Sequence, residues 1–414
     1  MNKYVVIVES QVSDFGLRPI IEAKRKGYKT VFVTNKLARY SEIPTFDKVF
    51  SSSVDEVLEI DANSSSVILE ELKKRNIDNV HGVLTICDYS LAVVAELSHY
   101  LGLPGLSIQA AENCRDKLKM REACKAKGVA IPAYLHAETE EAAVNFAEQI
   151  GFPVVTKPMT DSASVDVKLS WSADDVRRSF KEHMRSSINI RGQLKRKGML
   201  LEEYMSGPEV SVESVYVNGE RFFYGVTDKQ LSAHPYFVEV GDTFPSLLPK
   251  DLCERCIDVC REALDAVGHD FGVAHVEIKI TEVGPKIVEV NGRVPGNEIT
   301  KIIELATGVD LLVIAVDQYV GDVPDWQPRQ SLAAASVYLT SSITGEIRAI
   351  SGIELLDHVP GLVKKTLYVS VGDEVSAASS NHDILGALVI QSDHSGLARR
   401  WVDMAANQIK FEIV

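Results

Sequence analysis

Two stretches of the chain, GVAHVEIKI (272–280) and KIVEVNGRVPG (286–296), decide the fold. Each alternates apolar and polar residues, which is typical of a β-strand with one buried face. The turn between them, TEVGP, contains Gly and Pro, so we expect the two strands to pair as an antiparallel hairpin. The polar residues of both strands then lie on one side.

The polar face of this hairpin predicts a metal site. On the first strand this face carries His275, Glu277 and Lys279. On the second strand it carries Glu289, Asn291 and Arg293, while Val288 and Val290 are expected on the other face. Magnesium takes oxygen ligands, commonly one or two carboxylates plus nucleotide phosphates. An arginine beside it stabilises charge on a transferring phosphoryl group. The alternative is an amphipathic hairpin with a solvated face, but the combination favours a metal site at Glu277, Glu289 and Asn291.

Segments upstream of the hairpin predict a phosphate site. Lys157 ends the apolar strand FPVVTKP (152–158), and the small residues that follow include Ser162 and Ser164. Such a loop presents backbone amides to phosphate oxygens without bulky obstruction. Lys117 lies on a helical stretch, 109–127, and is expected to reach the same phosphates.

The segment LLEEYMSGPE (200–209) places carboxylates at a strand end. A carboxylate or carbonyl there can accept a hydrogen bond from an adenine amino group, and a second carboxylate can bind ribose hydroxyls. The candidates are Glu202, Glu203 and Glu209.

The first 110 residues alternate strand-like and helix-like segments with short connections, which predicts a parallel sheet covered by helices. Ligands of such sheets bind at the carboxyl ends of the strands, here at Glu9-Ser10 and Cys87-Asp88. After the first strand the chain reads ESQVSDFG, without the glycine-rich turn of a dinucleotide site. We therefore expect a nucleotide to bind elsewhere.

The bulk composition limits the class of protein. A chain of 414 residues is expected to form two to four packed units. The formal net charge of -14 argues against nucleic acid and anionic membranes as partners. The N-terminal segment lacks the pattern of a signal peptide, and no stretch reaches the roughly 20 apolar residues of a membrane span. We expect a cytoplasmic protein.

Three of the six cysteines, Cys253, Cys256 and Cys260, are spaced so that they share one face of a predicted helix. No histidine or second cysteine pair follows at zinc spacing. We interpret these cysteines as small buried hydrophobic residues.

The order of these motifs resembles the ATP-grasp superfamily over roughly residues 110–320. The motifs are DKLKMR, VVTKP, the serine-rich loop, LLEEYMSGPE, AHVEIKI and IVEVNGRVPG. The resemblance implies a multidomain α/β and α+β protein with the ATP-grasp fold. Its expected units are a Rossmann-like pre-ATP-grasp domain (1–110), a first subdomain with connecting helices (111–198), a second subdomain (199–325) and a β-rich C-terminal segment (326–414).

The resemblance also implies an ATP site between the two subdomains. The lysines Lys117, Lys157 and Lys229 would contact the phosphates together with Ser162 and Ser164. Adenine would meet Glu202, Glu203 and the backbone at Tyr204, and the ribose would meet Glu209. Glu277 and Glu289 would bridge two Mg²⁺ ions, with Asn291 completing a site, and Mn²⁺ is expected to substitute.

In such enzymes a carboxylate becomes an acylphosphate before an amine attacks it. Arg293 would hold the transferring phosphate and the substrate carboxylate. Together with Lys157 and Glu239, it is expected to be a catalytic residue. The motifs FVEVGDTFPS and NGRVPGNEI, together with the β-rich C-terminal segment, look most like those of bacterial L-amino acid ligases, which join two amino acids into a dipeptide and release ADP and phosphate.

That narrower resemblance implies amino acids as substrates. Glu239 would bind an incoming ammonium group and Arg293 a carboxylate. The remaining pocket candidates are Asp88, Ser162, Gly296 and residues near 373–376. His234 or His275 could act as a base, although a lone histidine is more often structural. A homodimer is a possible assembly.

Two other interpretations stay open at this point. One is an ATP-grasp ligase or carboxylase with another substrate, although no biotin-type lysine motif or carrier domain is present. The other is a nucleotide-sensing module without turnover, which is disfavoured because every expected metal ligand is present.

Overall fold

The N-terminal unit of the computed structural model, which describes residues 2–414, contains a four-stranded sheet covered by helices. In chain order its elements are β1 (Tyr4–Val8), α1 (Asp14–Arg25), β2 (Lys29–Thr34), α2 (Phe46–Ser53), β3 (Glu56–Glu59), α3 (Ser65–Lys74), β4 (Val80–Leu84) and α4 (Leu91–Leu101). The sheet order is β3-β2-β1-β4, and every neighbouring pair is parallel. The predicted parallel sheet is therefore confirmed.

Short polar side chains start these helices, and a glycine ends one of them. Ser13 and Ser64 each accept a hydrogen bond from an amide in the first turn of α1 and α3. Helix α4 ends at Gly102, whose φ of 65° is the left-handed conformation that glycine adopts without strain.

Two helices, α5 (Ile108–Arg115) and α6 (Lys117–Ala126), follow in place of the single predicted helical stretch 109–127. The chain is extended at Asp116, and the carboxylate of this residue accepts hydrogen bonds from the amides of Leu118 and Lys119. This cap starts a new helix at Lys117 and fixes the direction of that side chain.

A small subdomain comprises β5 (Tyr134–Ala137), α7 (Glu140–Ile150), β6 (Val154–Lys157), β7 (Lys168–Ser170), α8 (Ala173–His183) and β8 (Met199–Glu203). Its sheet has the order β5-β8-β6-β7 and is antiparallel. Strand β8 pairs here, so the boundary expected at 198/199 falls one strand early. The sequence signals a strand at this position but not its partners.

The rest of the chain is built on an eight-stranded sheet. Its elements are β9 (Glu209–Val217), β10 (Glu220–Leu231), β11 (Glu239–Phe244), α9 (Lys250–Val267), β12 (Gly272–Thr281), β13 (Gly284–Asn291), α10 (Ile299–Thr307), α11 (Leu311–Tyr319), β14 (Ala333–Leu339), β15 (Gly345–Ser351), β16 (Leu362–Leu367), β17 (Glu374–Val375), β18 (Gly386–Ser392), α12 (Ser395–Ala406) and β19 (Lys410–Ile413). The order of the large sheet is β13-β12-β9-β10-β11-β14-β18-β16, and β17-β15-β19 form a small sheet. The boundary expected at 326 therefore does not interrupt the large sheet.

Local sequence signals place two features of this sheet correctly. Asn218 and Gly219, with φ of 53° and 82°, form the predicted tight turn between β9 and β10. Helix α9 buries Cys256 and Cys260 completely in the core beneath the sheet. Cys256 and Cys260 are buried packing residues, as predicted, whereas Cys253 is only partly buried against the same core.

The predicted hairpin is formed by β12 and β13, which are antiparallel. Glu277 lies opposite Glu289, and His275 lies opposite Asn291. The register then shifts, so that Ile278 pairs with Ile287 and Val288 is an extra residue in a β-bulge.

The bulge corrects one detail of the sequence prediction. Val288 was expected on the buried face, but it lines the cleft described below, while Ile287 and Val290 are fully buried. A strict two-residue alternation cannot show an inserted residue.

No helix within residues 2–414 is long and apolar enough to cross a membrane.

Candidate active site

A cleft of about 1000 Å³ lies where the N-terminal unit, the small subdomain and the large sheet meet. With one exception, every residue that the sequence assigned to ATP, metal or catalysis lines it, and so do the substrate candidates Asp88 and Gly296. These residues are Asp88, Lys117, Lys157, Ser162, Ser164, Glu202, Glu203, Tyr204, Glu209, Glu239, Glu277, Glu289, Asn291, Arg293 and Gly296. The exception, Lys229, lies buried beneath the cleft, where its ammonium group contacts Glu239 and Glu277.

Two lysines neutralise the two predicted metal carboxylates. The Nζ atom of Lys117 lies 2.8 Å from Glu289, and that of Lys229 contacts Glu277 and lies 2.8 Å from Glu239. Burial alone would raise the pKa of Glu277, but the adjacent Lys229 holds that pKa well below its usual range. Glu277 is therefore an anion.

The donor set fits a hard divalent cation. Glu277 and Glu289 face each other across the strand pair, and Asn291 adds an amide oxygen two register positions along, on the same face. All three side chains supply oxygen ligands, which Mg²⁺ requires. Three protein ligands leave coordination positions free for phosphate oxygens. Glu277, Glu289 and Asn291 would hold the ion.

A buried carboxylate behind this face was not predicted. Glu213 on β9 is completely buried, and it accepts hydrogen bonds from Ser211, Thr227 and His275 at 2.6, 2.8 and 2.8 Å. Burial alone would lower the pKa of His275, but Glu213 and Glu277 raise it to about 9. A histidine that keeps its proton at neutral pH is a donor that orients Glu277 and a poor general base. The alternation of polar and apolar residues in VSVESVYV was the available signal for Glu213.

The predicted phosphate loop lies beside Lys117, which donates to the carbonyl oxygen of Asp161 at 2.8 Å. Ala163 and Ser164 both have left-handed backbone conformations, with φ of 59° and 57°. Such strain persists where the surroundings hold it. Here the hydroxyl of Ser164 donates to the carbonyl of Phe237 at 3.0 Å, and the carbonyl of Ala163 accepts from the amide of Asn381 at 3.2 Å.

The carboxylate of Glu202 has different partners from those expected. One oxygen accepts from Arg121 and the other from Lys157, both at 2.7 Å, and only 3% of the residue is exposed. Burial would raise the pKa of Glu202, but these two cations lower it to about 2. The side chain is thus committed to positioning Lys157 and is not free for adenine. Glu203 and the backbone at Tyr204 remain the adenine candidates.

The neighbouring residues of this segment also form defined contacts. Glu203 pairs with Lys286 at 3.2 Å, and Glu209 pairs with Lys279 at 3.3 Å. Burial and the nearby Glu277 raise the pKa of Glu209. The Tyr204 hydroxyl lies 3.1 Å from Nε2 of His234, so His234 interacts with the expected adenine side of the cleft.

The predicted substrate residues Asp88 and Arg293 are bonded to each other. The guanidinium of Arg293 donates to both oxygens of Asp88, one of them at 2.6 Å. Glu239 accepts from the side-chain amide of Asn297. A Cβ atom added at Gly296 would have only the side-chain amide of Gln11 within 4 Å, at 3.8 Å, so this glycine borders open space.

Beyond Gly296 the cleft continues between the N-terminal and C-terminal parts of the chain. Its C-terminal wall consists of Lys364, Thr366, Leu367, Tyr368, Ser370, Asn381, His382 and Ile384. The residues near 373–376 that were expected here do not line it, because Glu374 and Val375 form β17, where Val375 packs in the C-terminal core. The expected topology does not reveal which side of the domain this strand occupies.

Glu9 was another strand-end candidate, and it lies outside the cleft lining. Only 2% of it is exposed, and its carboxylate accepts hydrogen bonds from Arg39 and from Arg191 of the small subdomain. Glu9 therefore joins two parts of the protein.

Three known protein-domain families match successive parts of the chain. The ATP-grasp N-terminal domain matches residues 20–105, the ATP-grasp domain matches residues 150–301, and the L-amino acid ligase C-terminal domain 2 matches residues 337–414. Together with two subdomains that enclose a cleft of lysines and carboxylates, these matches assign the fold. The chain belongs to the ATP-grasp superfamily.

Within that superfamily the chain is similar to L-amino acid ligases. The crystal structure of the L-amino acid ligase from Bacillus licheniformis has the same fold, with a TM-score of 0.81 at 17% identity, covering 100% of this chain and 99% of that one. The alanine–anticapsin ligase of Bacillus subtilis is 26% identical over 62% of this chain, but the match spans only 57% of that ligase. The uncharacterized protein y4rH of Sinorhizobium fredii is 28% identical over 100% of this chain and 84% of its own length.

Proposed function

We propose that this protein uses ATP and Mg²⁺ to join two L-amino acids through an acylphosphate, releasing ADP and phosphate. The observation that carries the proposal is the position of Lys229. Its ammonium group contacts Glu277 of the metal face and lies 2.8 Å from Glu239. An amine-binding carboxylate therefore lies next to the carboxylates expected at the transferred phosphate.

The first half of the proposed reaction is phosphoryl transfer. An oxygen of the first amino acid's carboxylate attacks the γ-phosphorus, and the bond to the β-phosphate oxygen breaks. Lys117 and Lys157 line the cleft on the phosphate side, where their charges would hold the phosphates in line. Magnesium, when bound, would neutralise charge on the phosphates.

The Arg293 guanidinium faces this reaction from the substrate side. Asp88 holds it in a fixed orientation, and it is half-buried at the cleft wall. In that position it would bind the carboxylate under attack and the phosphoryl group it acquires, because its planar fork matches both.

The second half of the reaction is attack by the amine of the second amino acid. The incoming ammonium group first loses a proton, and its nitrogen then bonds to the acyl carbon. Phosphate leaves with one oxygen of the original carboxylate, and a second proton leaves the nitrogen for solvent. Glu239 would bind the incoming ammonium group in competition with Lys229. The extension lined by Lys364, Tyr368 and His382 offers space for the second amino acid.

Phosphate release from MgATP, measured with pairs of the proteinogenic amino acids, tests the proposal. We expect release that depends on amino acids, accompanied by a dipeptide mass. With an ¹⁸O-labelled carboxylate on one amino acid, one label should appear in the released phosphate, which also identifies the activated partner.

Other outcomes distinguish the alternatives. Turnover only with a carboxylate or amine that is not an amino acid would replace dipeptide formation by a different ligase activity. ATP binding without turnover for any pair would favour a nucleotide-sensing role. Released phosphate without ¹⁸O, whichever of the two amino acids carries the labelled carboxylate, would exclude the acylphosphate route despite dipeptide formation.

A further inference from the structure

Arg121 on α6 is the largest side chain that is fully buried within residues 2–414. A buried guanidinium is costly unless its charge and its donors are satisfied. The partners of Arg121 therefore indicate what the surrounding structure gains from it.

These partners come from both halves of the ATP-gripping fold. Nε donates to Glu202 on β8 of the small subdomain at 2.7 Å, and one terminal nitrogen donates to the carbonyl oxygen of Val288 on β13 at 2.8 Å. The other terminal nitrogen lies 3.3 Å from the sulfur of Met120. One planar group thus connects the two sheets that enclose the cleft.

On the small subdomain, Arg121 acts through Glu202. The second oxygen of Glu202 lies 2.7 Å from Nζ of Lys157, and both side chains are buried. Glu202 therefore transmits the position of Arg121 to the lysine expected at the ATP phosphates.

On the large sheet, Arg121 acts through the bulge. Val288 is the residue that interrupts the regular ladder, and Glu289 follows it directly. A bulge turns the next side chain to a new direction and leaves backbone groups outside the ladder. The bond from Arg121 satisfies the carbonyl at this point and fixes the direction in which Glu289 enters the cleft.

We propose that Arg121 is a positioning residue that sets the placement of Lys157 relative to Glu289, and thereby of the nucleotide phosphates relative to the metal. It touches neither. A lysine at this position would keep the charge but not the planar fork that serves two acceptors at once. The inference rests on the proposed ATP and metal site and is independent of the identity of the amino acids.

Arg121→Lys tests this role, with Arg221→Lys as the matched control. Arg221 is a half-buried arginine that likewise joins a carboxylate, Asp265 at 2.8 Å, to a backbone carbonyl, that of His269 at 2.7 Å. Neither of its acceptors lines the cleft, whereas both acceptors of Arg121 do. Each substitution removes a planar guanidinium that donates to two acceptors. Both variants therefore show how much that loss alone destabilises the protein. Only the first should alter nucleotide binding.

Binding of a non-hydrolysable ATP analogue, titrated by calorimetry at several Mg²⁺ concentrations without amino acids, gives the readout. We expect Arg121→Lys to weaken binding by about tenfold or more, since a hydrogen bond to a charged group is lost, and to raise the Mg²⁺ concentration required. Arg221→Lys should bind as the unmodified protein does. Because no turnover is measured, a failure of dipeptide formation leaves the test intact.

Glu202→Gln tests the contact through Glu202 separately from the contact with Val288. It also replaces Arg121→Lys in the test if that variant does not fold. It weakens the link to Lys157 but leaves the bond to Val288, so it should weaken nucleotide binding without changing the Mg²⁺ requirement. Unchanged binding in Arg121→Lys would overturn the inference. So would equal losses in Arg121→Lys and Arg221→Lys, or a shift in the Mg²⁺ requirement in Glu202→Gln.

Discussion

The guanidinium of Arg293 donates two hydrogen bonds to the carboxylate of Asp88, a residue 205 positions earlier in the chain. Asp88 follows β4 of the N-terminal sheet, whereas Arg293 follows β13 of the large sheet. Burial would raise the pKa of Asp88, but Arg293 lowers it, so the pair is ionic. The N-terminal unit thereby fixes the side chain expected to hold the substrate carboxylate.

Asp88→Asn should impair use of the activated amino acid more than use of ATP. The substitution removes the negative charge and leaves one acceptor oxygen in place of two, so Arg293 is held less firmly, at a cost of about 1.5–3 kcal/mol in comparable pairs. We expect kcat/KM for that amino acid to fall by about tenfold or more, with the KM for ATP nearly unchanged. Steady-state kinetics with each substrate varied in turn measures the difference.

Asp61→Asn is the control, because Asp61 is an exposed aspartate just after β3 in the same unit. It should leave both constants unchanged. A larger effect of Asp88→Asn on the KM for ATP than on the amino acid would contradict the assignment of Arg293 to the substrate side.

Glu289→Gln should abolish turnover while leaving the fold intact. The variant keeps the shape of the side chain but removes one of two carboxylates of the expected metal site, opposite Glu277. We expect phosphate release to fall by about 100-fold or more, as for the loss of several kcal/mol of charge stabilisation. The melting temperature should change little.

Glu282→Gln, in the exposed turn of the same hairpin, is the matched control and should remain active. A fully active Glu289→Gln variant would show that the metal is held elsewhere or is not required.

The sequence was sufficient to predict many of the residues that line the cleft, but not its C-terminal wall or all of the contacts between side chains. Alternation in β12 and β13 placed Glu277, Glu289 and Asn291 on one face, because side-chain direction in a strand follows from position alone. The bulge at Val288 and the partners of β8 did not follow, since both depend on which strands meet in three dimensions.

Buried ion pairs were the main omission. Glu202 was a plausible adenine ligand until the structure showed Arg121 and Lys157 at its two oxygens. Arg121 lies in a helix with charged neighbours, and nothing in DKLKMREACKAKG distinguishes a solvated arginine from a buried one. The partners that make its burial favourable are 81 and 167 residues away.

Asp55→Asn should make the protein less stable at neutral pH but not in acid. Asp55 is partly buried and pairs with Lys24 and Lys29, each at 2.7 Å, and accepts from the amide of Thr30. Burial would raise the pKa of Asp55, but these donors lower it to about 2. A carboxyl with a lowered pKa in the folded state stabilises the protein above its ordinary pKa, near 3.8, and this contribution is lost as the pH falls toward 2.

Chemical denaturation at pH 7 should therefore show a loss of about 1–2 kcal/mol in the free energy of unfolding for Asp55→Asn. The difference should shrink below pH 4. Asp78→Asn, an exposed aspartate of the same unit, should have no comparable effect. A deficit that persists unchanged at the lowest pH where the protein stays folded would show that the lost contacts are not those of the ionised carboxylate.

Arg191→Met should release the small subdomain from the N-terminal unit. Arg191 donates to Glu9 and to the carbonyl of Ser10, each at 2.9 Å, and its own carbonyl accepts from Asn35 at 3.0 Å. These bonds hold the segment between α8 and β8 against the end of β1. Methionine keeps much of the side-chain volume but neither the charge nor the donors.

The exposed residues Arg196 and Lys197 in this segment make trypsin a suitable probe. Cleavage requires local opening, so its rate reports the free energy of docking. We expect Arg191→Met to be cleaved there about tenfold faster, which corresponds to the loss of a charge-assisted contact. Arg185→Met also removes one arginine charge and one tryptic site from the segment, so it controls for both losses. Equal cleavage rates in the two variants would show that Arg191 does not hold the subdomains together.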